Sequence, residues 1–524
     1  MRCLSPSRPV LFAIAGFYLV LALILLQKYT AIGPINRIVS VASSSTNVSS
    51  NRHHDTADSD SIDGHLFSTV GETAPAHTRL LAEQASFCHS LFSDIDRFRP
   101  RCPRIVHPED TGLDIGYNAS LQLDRPDILR LSRKQQHELH FAHTKFVSRL
   151  KEGEYNLPYN KGTQGIVTTA GGPYLEVALV SVRMLRRTGS DLPVEIFLGS
   201  QEEFDPQICG VVLPSLNARC IVLDDIFTRA GLSTVKIDKY QYKIMSILFS
   251  SFEDVLFLDS DCFPIYAPDD LMNNEPFATS GLVIWPDFWF PSESPLFFDI
   301  AEIDAPDVWT RASSESGEML YSKSKHDISL MLAAYYNYYG PDFYYPLQSQ
   351  GAPGEGDKET FLWAAVAVGA PFYHVRTPLR ALGYFTTEGE WRGSAMLQAD
   401  PMDDFERSIE DLYGETTNLT EPRPFFIHAN FPKFRPSTIF TDKSFGAQGP
   451  TRDADGTMRR VWHENGAASA EVFGFDLERR LWEEIRDIGC EYESVFDTWH
   501  GVNDICTNAT VYWQTVIEAD DSLS

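Results

Sequence analysis

The chain changes its hydrophobic period several times, and each change predicts an element. Residues 10–26 are apolar without interruption. Residues 40–76 hold few large apolar side chains and are rich in Ser, Thr, Asp and His, as in Ser43-Ser44-Ser45-Thr46 and Asp58-Ser59-Asp60-Ser61. Such a stretch cannot bury enough surface to fold alone. Further on, Ile244, Ile247, Leu248 and Phe252 recur at helical spacing. Val255 to Leu258 then form a short unbroken apolar run, the pattern of a strand buried on both faces of a parallel sheet. Asp259, Ser260 and Asp261 follow, and Pro264 bars simple continuation of a central strand. Two carboxylates therefore stand just past the carboxyl end of a buried strand, where open α/β sheets bind ligands.

The neighbouring segments repeat the alternation. A strand beginning at Gly165 enters the Gly171-Gly172 turn, a helix runs over residues 174–188 to Gly189, and strands follow from Leu192 and Cys220. Strand alternating with helix predicts an α/β fold whose mostly parallel sheet is covered by helices. Beyond it, Gly281 opens an apolar strand that leads into Trp285, Asp287 and Trp289. Lys325-His326-Asp327 opens a helix, Gln350 to Gly356 form a glycine-rich loop, and Asp357 to Glu359 open another helix. Phe425 to His428 read as a strand, and 462–513 as helix plus loop. The divisions expected are a tail (1–9), a spanning segment (10–26), a stem (27–80), a helical brace (81–160) and a catalytic body (161–524).

Adjacent carboxylates repel, and a divalent cation removes that cost. Hard cations take oxygen ligands and often share them with substrate phosphates. Asp259 and Asp261 are thus candidate metal ligands, with His428 as a third and Lys433 placed to neutralise a diphosphate. Aspartyl-phosphate hydrolases share the Asp-x-Asp layout but follow it with Thr or Ser; Cys262 and Phe263 stand here instead. Glu355, Asp357 and Glu359 exceed what helix capping needs, so Asp357 or Glu359 is a candidate for work on the substrate. Trp285, Asp287 and Trp289 combine aromatic faces with a carboxylate, which suits sugar rings. The Gly171-Gly172 turn matches neither a dinucleotide nor a Walker-type loop.

A formal net charge of −28 argues against nucleic-acid binding through a basic face. Cys88 with Cys102, Cys209 with Cys220 and Cys490 with Cys506 are spaced like local disulfide pairs, which leaves Cys262 as a buried thiol. Acceptor sequons at Asn47, Asn118, Asn418 and Asn508 agree with a lumenal body. Arg2 and Arg8 precede the 10–26 run, and no Ala-x-Ala-like site directly follows it. The expectation is an uncleaved signal anchor of type II orientation, with a cleaved signal peptide as the alternative.

The pieces Gly165-Ile-Val-Thr-Thr-Ala-Gly, Leu192-Pro-Val-Glu-Ile, Ser250 to Asp261, Trp285-Pro-Asp-Phe-Trp, Gly356-Asp-Lys-Glu-Thr-Phe and Phe426-Ile-His-Ala-Asn resemble the fungal Golgi α-mannosyltransferases that branch cell-wall mannan, glycosyltransferase family 71. The resemblance spans residues 165–433. It implies a GT-A fold, GDP-mannose as donor, Mn²⁺ as cofactor and retention of anomeric configuration. It implies mannan or N-glycan outer chains as acceptor, α-1,2 linkage ahead of α-1,3, the Golgi membrane as location and room for complex partners. On this reading Thr168, Thr169, Lys243 and Lys433 face the donor. Asp357 or Glu359 orients the sugars, and Asp259, Asp261 and His428 hold the metal. The alternatives are a silent sugar-binding or scaffold subunit, or the same fold with another nucleotide-sugar donor.

Overall fold

The structure, a computed structural model, describes residues 74–413, 420–441, 451–453, 455–464 and 466–521. The 10–26 run and residues 27–73 of the expected stem lie outside the described residues. Among those described, no helix is long and apolar enough to cross a membrane.

The main sheet is built from β1 (Asn160–Thr169), β2 (Val194–Leu198), β3 (Ala218–Val222), β4 (Phe252–Leu258), β6 (Leu282–Pro286), β7 (Ser314–Ser322) and β8 (Tyr373–His374). Their order is β3-β2-β1-β4-β7-β6-β8. Strands β3, β2, β1 and β4 pair in parallel. Strand β7 runs antiparallel to both neighbours, β4 and β6, and β8 is parallel to β6. The sheet is therefore mostly parallel, as the alternation predicts, with one opposed strand wedged beside β4.

A second sheet joins β5 (Cys262–Pro264), β9 (Arg380–Phe385), β10 (Trp391–Ala399), β11 (Pro424–His428), β12 (His463–Glu464) and β13 (Ala467–Ala468). Its order is β13-β12-β9-β10-β11-β5, with antiparallel pairs throughout. The sequence reading contains no such sheet. β9 and β10 mix Gly, Arg, Ser and Gln into their apolar positions, which hides their period.

Alternation along the strands feeds two cores. Val167, Val255 and Phe257 face one side of the main sheet, and Ile166, Leu256 and Leu258 face the other. On the first side lie α1 (Ala74–Arg97), α2 (Arg133–Glu152), α4 (Gln241–Phe249), α5 (Asp327–Tyr338) and α6 (Thr360–Val368). On the second lie α3 (Tyr174–Arg187), α7 (Leu477–Tyr492) and the antiparallel sheet. Each wholly buried Leu or Phe contributes about 1.5–3 kcal/mol by leaving water.

The amino-terminal boundary differs from the expected one. α1 begins at Ala74, inside the stretch read as stem, and Phe87, Leu91 and Ile95 recur along it at one-turn intervals to meet Phe249 and Val167. α2 starts at a capping box in which Ser132 and Gln135 satisfy each other's backbone N–H. The brace is part of the core rather than an appendage. Disulfides join Cys209 to Cys220 and Cys490 to Cys506. The third expected pair does not form: Cys88 is sealed in the α1 core and Cys102 remains a thiol, as does buried Cys262.

Candidate functional site

Strand β4 ends at Leu258, and Asp259 turns out of the sheet at once. Its N–H donates to the Gly317 carbonyl on β7 at 2.7 Å, and its carbonyl accepts from Cys262 N–H at 2.9 Å. The Ser181 hydroxyl of α3 donates to the Ser260 carbonyl at 2.6 Å and pins the turn from the other side. The chain then enters β5, whose Cys262 lies opposite His428 in antiparallel register. That register carries His428 to the acids. Asp259, Asp261 and His428 each offer a ligand atom, all within 4.8 Å of one another. The closest approach of the imidazole is His428 Nε2 to Asp261 Oδ1, 3.4 Å.

Two ammonium groups flank the cluster. Lys433 pairs with Asp261 Oδ2. Lys243, on α4, lies 3.2 Å from Asp259 Oδ1 and donates to the Ser316 carbonyl at 2.6 Å. Asp357 Oδ2 is 3.5 Å from the same ammonium, and Asp357 Oδ1 accepts from the Ser316 hydroxyl at 3.3 Å. Burial would raise the Asp261 pKa, but Lys433 and then His428 overcome it and hold the carboxyl below its usual range. The His428 pKa is raised in return: burial opposes the charged imidazole, and Asp261 with Glu315 outweighs it. Asp357 rises to about 6, through burial and the nearby Asp259 charge against the pull of Lys243.

The opposed strand supplies two acids that the sequence reading does not contain. Trp285 pairs with Glu315 while Ile284 pairs with Met319, so residues 316–318 bulge out of the β6–β7 ladder, although Glu318 still pairs with Leu258 of β4. Glu315 Oε1 lies 3.5 Å from His428 Nδ1 and accepts from Gly317 N–H at 2.8 Å. Its pKa falls to about 2, because His428 outweighs the effect of burial. Glu318 is wholly buried, accepts a 3.4 Å bond from the Cys262 thiol, and is pushed up to about 8 by burial and by Glu315. A carboxyl raised in the folded state favours folding below its unfolded pKa and loses that contribution as pH rises toward about 8. Glu318→Gln is therefore expected to raise thermal stability at pH 8.5 and leave it nearly unchanged at pH 4.5. Melts at the two pH values check this. The signal for these acids is faint, because Ser314-Glu-Ser-Gly-Glu has the polarity of a loop.

A mannosyltransferase family model, Mannosyl_trans3, matches residues 163–310 and 304–400. Alpha-1,2-mannosyltransferase MNN5 of Saccharomyces cerevisiae is 30% identical over 411 residues, 63% of this chain and 70% of that protein. The chain belongs to the fungal α-1,2-mannosyltransferase family. MNN21 of Candida albicans is 33% identical over 72% of this chain, and MNN2 of Saccharomyces cerevisiae is 34% identical over 59%. The matches span 65% of MNN21 and 62% of MNN2, under two thirds of each. Among solved structures, a galactosyltransferase, LgtC, in complex with donor and acceptor sugar analogs is 15% identical over 40% of this chain and 73% of that one. Its TM-score of 0.26 is too low to bear on the site.

Not every residue that the sequence suggests lies in the cluster. Glu359 is buried and occupied: it accepts from Arg311 Nη2 at 2.9 Å, from Ser314 N–H at 2.7 Å and from the Ser314 hydroxyl at 3.1 Å. Arg311 also pairs with Glu293 at 2.6 Å, and Arg125, from the segment between α1 and α2, meets the same Glu293. Glu359 thus fixes the start of β7 and has no free edge for a sugar. Asp287 is likewise spent, on Lys358 at 2.8 Å. The two tryptophans offer no exposed face. Trp285 is 0% exposed, with its indole N–H on the Ala399 carbonyl, and Trp289 is 6% exposed. Thr168 is buried in β1 and Thr169 half-buried at its end. Exposed aromatics stand elsewhere, at Tyr174, Tyr240 and Phe431.

Proposed function

We propose that the chain is a retaining GT-A-type glycosyltransferase that moves mannose from GDP-mannose to an α-mannoside on mannan or N-glycan outer chains, forming the α-1,2 linkage. The observation that carries this reading is the Asp259–Asp261–His428 cluster at the carboxyl end of β4, in a chain of this family. The donor set suits Mn²⁺, which accepts carboxylate oxygen and imidazole together. Asp259, Asp261 and His428 would hold it, and when bound the ion supplies positive charge beside a diphosphate.

The chain's own groups do the rest. Lys433 is about one-third exposed, so its ammonium can leave Asp261 for a leaving diphosphate. Lys243 is fixed between Asp259, Ser316 and Asp357, and holds the exit of β4 against the bulge of β7. Asp357, with one oxygen on the Ser316 hydroxyl, is the remaining carboxylate near the sugar position. The site works in the Golgi lumen on this reading, with residues 10–26 as the membrane anchor and 161–524 as the catalytic body.

Thermal-shift measurements with GDP-mannose, UDP-galactose and UDP-GlcNAc, each with Mn²⁺ or a chelator, test the proposal. GDP-mannose with Mn²⁺ should stabilise most, by about 2.7 kcal/mol at a hundred times its Kd. Stabilisation by a UDP-sugar alone, or by none of the three, overturns the donor assignment. Digestion of the transfer product with an α-1,2-specific mannosidase tests the linkage.

Gly317 gives an independent handle on the metal. A Cβ built there would collide with His428 Nδ1 and lie 2.7 Å from its Cε1, so the imidazole can occupy its place only over a glycine. Gly317→Ala is expected to push the ring aside and weaken Mn²⁺ binding about 10–100-fold, the scale for a disturbed ligand support. Titration calorimetry reads it directly.

A further inference from the structure

Beside the acid cluster, the carboxyl ends of β1 and β2 carry a further carboxylate, Glu203. Strand order reverses between β1 and β4, the switch point at which open α/β sheets bind ligands. β1 leaves the sheet through Gly171 and Gly172, and β2 through Gly199. Glu203 lies across both exits. Its Oε2 accepts the Gly199 N–H at 2.7 Å. Both of its oxygens press on Gly171 so closely that any side chain at 171 would collide with them. Oε1 has no hydrogen-bond partner among the described residues, and the side chain is half-buried rather than sealed. Tyr242 closes the far wall, with its hydroxyl 2.9 Å from where a Cβ on Gly199 would sit. The Glu203 charge helps to raise the Tyr242 pKa, after burial. The next residue along α4 is Lys243, which touches Asp259. One helix therefore joins the Glu203 site to the acid cluster.

A carboxylate that is fixed on one side by a backbone N–H and open on the other accepts hydrogen bonds and donates none. Among nucleobases, guanine presents two adjacent donors, N1–H and the N2 amine, on one edge. Uracil offers a single N3–H between two carbonyl oxygens that a carboxylate repels. Adenine offers an acceptor at N1. We infer that Glu203 is the guanine-reading residue of this site and sets the choice of a guanosine diphosphate donor over a uridine one. Glycines at 171 and 199 let Glu203 and Tyr242 close onto the two strand exits. The inference rests on the nucleotide-sugar reading above and supplies what that reading lacks, a group that distinguishes one base from another.

The test is calorimetric binding of GDP, inosine diphosphate and UDP, with Mn²⁺, to the full chain and to Glu203→Gln. Inosine diphosphate lacks only the 2-amine. The unaltered chain should bind GDP about tenfold or more tighter than either of the others, the scale of one charge-assisted hydrogen bond. Glu203→Gln keeps an acceptor for Gly199 and should bring the three affinities within about threefold, with UDP binding as the check that the chain is folded. Retention of the full GDP preference in the variant overturns the inference alone, and so does an equal loss for all three ligands. Absence of any nucleoside diphosphate binding to the unaltered chain overturns the proposed function as well.

Discussion

Asp261→Asn should lower mannosyl transfer by at least about 10²-fold, with the loss in kcat as well as in kcat/KM. Losses of 10–100-fold follow when only the support of a metal ligand is altered, and Asp261 is itself the candidate ligand at the centre of the cluster. The substitution keeps the shape of the side chain and removes its charge. That charge is what raises the His428 pKa and pairs with Lys433. Without it a bound Mn²⁺ would lose a carboxylate ligand, so its affinity should fall together with activity. Circular dichroism in the near ultraviolet serves as the folding check. Undiminished transfer by a folded Asp261→Asn chain would remove the chemical basis of the proposed site.

Glu359→Ala should act on the fold instead. The carboxylate sits among Arg311, the Ser314 N–H and the Ser314 hydroxyl, with its side chain 3% exposed, and Arg311 is also buried. Removing one member of a buried ion pair costs about 3–5 kcal/mol, because the other is left charged and without its partner. Urea unfolding should show that loss as a lower midpoint at unchanged slope. A variant with unaltered midpoint and abolished transfer would instead return Glu359 to the chemistry. The contrast separates two carboxylates that look alike in the sequence, two residues apart: Asp357 faces Lys243 and the acid cluster, Glu359 faces Arg311.

The metal-ligand candidates were legible because each stands at the end of an apolar run. Val255 to Leu258 and Phe425 to Ile427 announce buried strands, and polar residues just past a strand end stand out. Lys243 could be assigned from its place at a helix start, and Lys433 from its closeness to His428 in the chain. The opposed strand β7 was not legible, and with it went Glu315 and Glu318. Its polar half is buried by ion pairs and backbone bonds to distant residues rather than by apolar side chains, so no period marks it. The tryptophans misled for a related cause. A proline and an aspartate beside an indole suggest an exposed loop, but Lys358 neutralises Asp287, and the second sheet covers Trp285 through Phe426 and Ala399. Glu203 carried no sequence signal at all. Its place depends on how two strand exits lie side by side, and only the folded sheet brings them together.

If the chain is anchored through residues 10–26 as proposed, the packing of α1 bears on how its body could be released. Phe87 meets Phe249, and Phe92 meets both Phe227 and Tyr338, edge to face. A protease that cut between α1 and α2 would strip these rings from their partners and yield an unfolding fragment, not a secreted enzyme. Release of an intact body requires cleavage ahead of Ala74, so the window for such processing is the serine- and aspartate-rich run that precedes that helix in the sequence.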